Sequence, residues 1–227
     1  MIALRNLCKS YVLNGTRRDV ARDITFTFPS GECVGLLGRN GAGKSSLLKM
    51  IAGTMDPDSG RIASTGTVSW PVGFAGSFHG EMTGAQNTRF VARIYGADTK
   101  EMLNFVEGFA DLGPHFHLPF RSYSAGMRSR LAFGVSMALH FDTYLIDEVT
   151  SVGDGAFKAR SQQVLMKRLE HSGAIVVSHS MDLMRNICSS GVVLEDGHLF
   201  YYARIERAIE HYNHIMKGRP PPWMRVR

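Results

Sequence analysis

The sequence predicts an α/β fold: a mainly parallel sheet covered by helices, an added antiparallel β piece at the N-terminus and a helical lobe in the middle. Three observations lead there. The runs "CVGLLG", "TYLIDE" and "AIVVSHS" are continuously apolar, as strands buried on both faces are, and they alternate with segments of helical spacing. The strands near the N-terminus instead alternate apolar and polar residues, the pattern of a half-buried antiparallel sheet. The stretch from about Val72 to Phe120 carries helical spacing without strand signals.

In chain order, "IALRNL" and "DITFTF" (Asp23 to Phe28) each read as a strand. "PSGE" turns the chain into the buried strand "CVGLLG". From Lys44, "KSSLLKMIAG" has helical spacing and stops at Gly53. "DPDSG" is a turn leading to a short strand pair. Glycines and aromatics from Gly73 to Gly84 mark a loop, and "NTRFVARIYG", "KEMLNFVEGFADLG" and "AGMRSRLAFGVSMALH" follow as helices. "TYLIDE" is a buried strand, "FKARSQQVLMKRLEHSG" a helix closed by glycine, and "AIVVSHS" another buried strand. "MDLMRNICSS" is helical, "VVLEDGHLFYY" is a hairpin with Asp-Gly at its turn, and "IERAIEHYNHIMKG" is the last helix. The expected organisation is one domain over 1–217, with a lobe over about 72–140 inserted into the core, and a basic proline-rich tail over 218–227.

Composition narrows the class. With 44% hydrophobic and 20% charged residues in 227, a sizeable core can form and global disorder is excluded. The net charge of +6 suits an anionic partner such as a nucleotide, a nucleic acid or an acidic lipid. Cys8, Cys33 and Cys188 are too far apart for a zinc site or a disulfide framework, so reduced thiols are expected. "MIALRNLCKSY" lacks the pattern of a secretory leader, and no apolar run approaches the ~20 residues a spanning helix needs. A soluble protein is expected, with any membrane role exerted through a partner.

"GRNGAGKSS" matches G-x-x-x-x-G-K-[ST], with Gly38, Gly43, Lys44 and Ser45 in the fixed places, between a buried strand and a helix. Glycines there let backbone N–H groups turn toward phosphates, and the helix dipole adds positive potential. Lys44 reaches the terminal phosphates and Ser45 ligates Mg²⁺. "YLIDE" supplies Asp147 for the ion and Glu148 to orient or deprotonate the attacking water. "VVSHS" sets His179 at the end of another buried strand, placed for the γ-phosphate.

"SYSAGMRSRLAFG" is a second helix start with a serine and a glycine before it, and no second nucleotide fold accompanies it. It can complete the site of another copy. Two chains packed head to tail would each offer Ser124 to Gly126 to the other's γ-phosphate, an isologous arrangement.

Together these segments resemble the ATP-binding subunit of an ABC transporter over nearly the whole chain. "GRNGAGKSS" (Gly38, Arg39, Asn40, Gly41, Ala42, Gly43, Lys44, Ser45, Ser46) resembles its Walker A and "YLIDE" its Walker B. "YSAGM" (Ser124, Ala125, Gly126, Met127) resembles the signature motif, "SVGD" ending at Asp154 the D-loop, and "SHS" the switch histidine. Tyr11 stands where the family places an aromatic that stacks on adenine. "SWPVG", "AGSFHGEMTG", "YSAGMRSRLAFG" and "DEVTSVGD" are in the style of ATPases that export bacterial capsular polysaccharide. The resemblance implies ATP and Mg²⁺ as cofactors and a homodimer on the cytoplasmic face of the inner membrane. It also implies a separate permease in two copies, through which periplasmic and outer-membrane export components are reached.

Two departures stand out. Ala125 occupies a place where glycine is usual. The loop after Trp70, where the family carries a glutamine that touches Mg²⁺ and the permease, has none; His79 is the stand-in, and Gln86 lies too near the next helix. The aromatic-rich loop and lobe, Trp70 to about Phe120, are the expected permease contact. Rival readings are an O-antigen or teichoic-acid exporter ATPase, a small-solute importer ATPase, and a soluble ABC ATPase acting on nucleic acid. The last usually needs two nucleotide halves or long insertions, and this chain has neither, so no nucleic-acid partner is expected.

Overall fold

The computed structural model describes residues 1–13, 15–76, 78–147 and 155–218. They divide into two compact units, one drawn from the described residues of 1–71, 142–147 and 171–218, the other from those of 72–141 and 155–170.

The first unit holds both sheets. β1 (Ile2–Leu13) pairs antiparallel with β2 (Thr16–Phe28) on one side and with β4 (Ser59–Ser64) on the other. The second sheet takes the order β5 (Val68–Pro71), β6 (Thr143–Asp147), β7 (Gly173–Val177), β3 (Cys33–Leu37), β8 (Ser190–Glu195) and β9 (His198–Tyr202). All its neighbours run parallel except β8 and β9, the hairpin expected from Asp-Gly. Every residue of β7 is buried, and β3 and β6 are buried over four of their five residues, which explains their unbroken apolar runs. Helix α1 (Lys44–Ile51) buries Leu47 and Leu48 against a core that includes Ile2, Leu4, Phe28, Leu36 and Ile175. Helices α6 (Met181–Ile187) and α7 (Ile205–Met216) complete this unit.

The second unit is helical. α2 (Gly84–Ile94), α3 (Thr99–Ala110), α4 (Ala125–Ala138) and α5 (Gly155–Leu169) pack around Phe109, whose ring stacks on Phe133 at 5.6 Å and meets Phe157 edge-on at 5.2 Å. Two 3₁₀ turns, Gly113–His117 and Phe120–Ser122, lie between α3 and α4.

Three sequence expectations need correction. The "short strand pair" after "DPDSG" is not a pair: β4 joins the antiparallel sheet and β5 the parallel one. The first two strands run on to Leu13 and start back at Thr16, beyond the segments that alternate. Bulges interrupt β1 between Leu4 and Ser10, and Asn6 and Asp23 take left-handed φ of 49° and 51° with Asn6 Nδ2 donating to Asp23 Oδ1 at 2.9 Å. Each bulge flips the exposed face, so the period-two pattern dissolves. Helix α2 begins at Gly84, three residues before the expected start, because Thr83 and Gln86 form a capping box.

Candidate nucleotide-binding site

Register fixes the floor of the site. Gly35 of β3 pairs with Val176 of β7, and Asp147 of β6 pairs with Val177. The carboxyl ends of these three adjacent strands therefore lie level, the edge where ligands of open α/β sheets bind. The loop that starts at Gly38 leaves the end of β3, Asp147 ends β6, and His179 sits two residues beyond the end of β7, exposed.

The loop delivers the chain into α1 with Gly43 as its N-cap at φ 105°, without a capping side chain and without an acidic residue in the first turn. The first N–H groups of the helix are thus left for an anion. A Cβ at Gly43 would stand 2.6 Å from Cβ of Val20 on β2, so sterics as well as φ demand glycine. Lys44 folds back over the loop, and its Nζ donates to the carbonyls of Gly38 at 2.7 Å and Arg39 at 3.1 Å.

A cavity of about 400 Å³ opens beside this loop. It gathers eight of the residues singled out in the sequence: Tyr11, Asn40, Gly41, Gly43, Lys44, Ser45, Ser46 and Asp147. Arg39 and Ala42 line a neighbouring cavity of about 640 Å³ instead. The Tyr11 hydroxyl lies 3.1 Å from Ser46 Oγ and donates to Met55 Sδ at 3.2 Å, which pins the ring at the strand-side wall. Arg18 and Val20 of β2 also line the cavity. Sequence reasoning missed both, because it did not extend β2 back to Thr16.

Ser45 and Asp147 bring a hydroxyl and a carboxylate to the same cavity. Oxygen donors suit a hard cation. Among the described residues no group of three His, Cys, Asp or Glu could hold a metal alone. Two protein oxygens completed by phosphate and water are what Mg²⁺ ordinarily takes, so the donor set fits.

The second unit carries the other segments. Ser124 is the N-cap of α4, and its Oγ accepts from Met127 N–H at 3.2 Å. Ser124, Ala125 and Gly126 are exposed and Met127 is half-buried. Apart from its own helix backbone, a Cβ at Gly126 would find no atom of the described residues nearer than 4.0 Å, and none of them requires glycine there. Arg128 holds the approach to the helix by donating to the carbonyls of Tyr123 and Arg121, each at 3.0 Å.

His79 is exposed; its backbone N–H donates to Asn87 Oδ1 at 2.9 Å, and its Nδ1 accepts from Glu81 N–H at 3.3 Å. Gln86 spends its amide oxygen on the Thr83 N–H at 2.8 Å, within the capping box of α2. Asn87 is the unforeseen residue of this loop. It is buried, and its Nδ2 donates to the carbonyls of His79, Met82 and Thr83. Glu148 and Asp154 lie outside the described residues.

Residues 21–151 match the ABC transporter family. The polysialic acid transport ATP-binding protein KpsT of Escherichia coli is 46% identical over 215 residues, covering 93% of this chain and 96% of that protein. The capsule polysaccharide export ATP-binding protein CtrD of Neisseria meningitidis serogroup B is 41% identical, covering 95% of this chain and all of that protein. Among solved structures, the fold is similar to the ATP-binding cassette MJ0796 in a dimeric post-hydrolysis state bound to ADP and Pi. The TM-score is 0.75 at 18% identity, covering 90% of this chain and 99% of that one. A match over more than half of the residues and near-full-length relatives well above 30% identity lead to one conclusion: the chain belongs to the ABC transporter family.

Proposed function

We propose that this chain is the ATP-hydrolysing subunit of a capsular polysaccharide exporter, working as a homodimer beneath a membrane-spanning permease at the cytoplasmic face of the bacterial inner membrane. One observation carries the reading: the relatives that span nearly the whole chain are, by name, ATP-binding proteins of polysialic acid transport and capsule polysaccharide export. The cavity supports the chemistry, since it joins a phosphate loop, Lys44, Ser45 and Asp147. No helix among the described residues is long and apolar enough to cross a membrane, which fits a subunit that borrows its channel.

Residues 1–217 act as one ATPase domain, with the helical lobe over about 72–140 inserted in it. ATP binds with its adenine on the Tyr11 ring and its phosphates on the loop from Gly38 to Ser46. Ser45 and Asp147 hold Mg²⁺, which neutralises charge on the phosphates as it develops. Lys44 and His179 of one copy, and Ser124 and Gly126 of the other, supply donors to the γ-phosphate, and Asp154 lines the shared face. Each charge-assisted contact is worth about 1.5–3 kcal/mol, so a few of them shift an open–closed equilibrium of similar size. The shift follows from contacts that exist only when closed. Glu148 orients and deprotonates the water; hydrolysis removes the contacts and the pair reopens.

The bare environment of Gly126 among the described residues favours this completion in trans, since an approaching second molecule gives the absence of a side chain a purpose. The helical unit also exposes Phe90 and, 61% accessible, Ile94 on α2, together with Leu118, an apolar surface suited to a permease. His79 stands in that unit as the residue in place of the missing glutamine. The closing motion passes through this unit to two permease copies, and through them to periplasmic and outer-membrane components.

The test has two arms. Glu148→Gln should bind ATP as the wild type does and hydrolyse it at least about a hundredfold more slowly; normal turnover would remove Glu148 from the mechanism. Expression in a capsulated bacterium lacking its own exporter ATPase, together with the cognate permease, should return polymer to the cell surface. Polymer that stays inside would end the capsule reading while leaving the ATPase intact.

A further inference from the structure

β2 begins Thr16, Arg17, Arg18, Asp19, and its two faces treat the three nearby arginines differently. Arg17 and Asp19 share a face, and Arg17 Nε lies 2.9 Å from Asp19 Oδ1. Arg22 Nε reaches the other oxygen of the same carboxylate at 3.1 Å. Arg18 alternates to the opposite face, and among the described residues no carboxylate forms an ion pair with it. On that face its guanidinium covers the backbone of Gly41. A Cβ at Gly41 would stand 3.2 Å from Nη2, 3.4 Å from Nη1 and 3.6 Å from Cζ. Gly41 also has φ +77°, a conformation that disfavours any side chain beneath the arginine, and the space there is tight.

The strand partner of Arg18 is Tyr11. Directly opposed residues of an antiparallel pair present their side chains on one face. Both line the cavity that also holds Lys44, Ser45 and Asp147. A guanidinium is a planar fork that matches two phosphate oxygens at once, and this one rests on Gly41 of the loop proposed to hold phosphates. The family resemblance assigns Arg18 no role.

We propose that Arg18 is a nucleotide-binding residue, a second cation beside Lys44 that grips the phosphate chain from β2 while Tyr11 takes the base. Gly41 is the floor that lets the guanidinium lie flat against the loop. The proposal rests on the nucleotide reading of this cavity. Arg18 is exposed, so its contribution is that of a partly screened contact.

The experiment measures binding of ATP, ADP and adenosine to the full chain by fluorescence competition, for wild type, Arg18→Ala, Arg18→Lys and Lys44→Ala. Arg18→Ala should weaken ATP about five- to tenfold and leave adenosine within about twofold, with Arg18→Lys in between because it keeps charge but loses the fork. The melting temperature should not move, since the residue is exposed. Equal weakening of ATP and adenosine would overturn the phosphate assignment and place the guanidinium on the base. Unchanged ATP binding in Arg18→Ala beside its loss in Lys44→Ala would overturn the proposal and leave the site standing. Unchanged binding in both would overturn the site as well.

Discussion

The ammonium of Lys44 donates to the carbonyl of Gly38 at 2.7 Å, across the mouth of its own loop. The contact keeps the lysine extended over the place where phosphates are to bind. The Gly38 carbonyl is a neutral acceptor, so an anionic phosphate competes for the same ammonium on favourable terms. Replacing Lys44 by Ala should reduce kcat/KM for ATP hydrolysis by at least about a hundredfold, the scale of removing one pre-placed donor to developing charge. Phosphate release measured against a melting curve decides the matter: activity that survives in a folded variant would move the reaction away from this loop.

Two glycines of the motifs should respond to alanine in opposite ways. At Gly43 the new Cβ meets Val20 at 2.6 Å on a backbone at φ 105°, and strain plus overpacking should cost about 2–3 kcal/mol, or about 5–10 °C in Tm. At Gly126, within α4, the nearest atom is 4.0 Å away, so alanine should keep or raise stability, by up to about 1 kcal/mol. ATPase activity should nonetheless fall at least about tenfold at Gly126, because the added methyl obstructs a second copy. Full activity in Gly126→Ala would show that this face takes no part in the reaction.

The pattern of what could be read from sequence follows from how local each determinant is. Gly38, Gly43, Lys44 and Ser45 were legible because a phosphate loop needs backbone freedom and two side chains within a few residues of chain. The place of Asp147 was legible because the apolar run of β6 ends at its carboxylate. The entry to β2 was not, since bulges at Asn6 and Asp23 break the alternation that marks a strand. With it went Arg18, whose place depends on which strand face meets Gly41. The split of β4 and β5 between sheets was illegible because two short strands in sequence say nothing of their partners. The capping box "TGAQ" could have been read, and would have accounted for Gln86 without any metal role.

Asn87 leads to an expectation about coupling. Its amide ties the carbonyls of His79, Met82 and Thr83 to α2 and returns an acceptor to the His79 N–H. Asn87→Ala would leave these groups unpaired beside a small cavity, at about 2–3 kcal/mol. These contacts reach only the backbone of His79 and leave its ring untouched, and the loop belongs to the surface proposed to meet the permease. The isolated variant should therefore hydrolyse ATP within about threefold of wild type, while its stimulation by reconstituted permease is lost. Equal stimulation of variant and wild type in proteoliposomes would separate this loop from the permease.

His211 on α7 gives the fold a pH dependence with a definite sign. The ring is fully buried, with Nδ1 2.9 Å from the Tyr202 hydroxyl and Nε2 3.1 Å from Glu195 Oε2. Burial lowers its pKa below the usual 6.5, and the opposing pull of Glu195 does not restore it. A neutral ring satisfies both neighbours: Nε2–H donates to the carboxylate, and Nδ1 accepts from the tyrosine hydroxyl. In the unfolded chain the same histidine takes a proton near pH 6.5. The unfolded state therefore binds the extra proton as pH falls from 6.5 toward the folded pKa, and stability declines over that window by up to about 1.4 kcal/mol per pH unit. Above pH 6.5 the contribution is complete. Urea unfolding at pH 7.5 and 5.5 should show this loss in wild type, and a smaller one in His211→Phe, whose lower absolute stability cancels in the comparison between the two pH values. An identical pH dependence in both proteins would mean that burial leaves the ring its ordinary pKa, and a smaller loss in wild type than in His211→Phe would mean an ion pair with Glu195 rather than a neutral bridge.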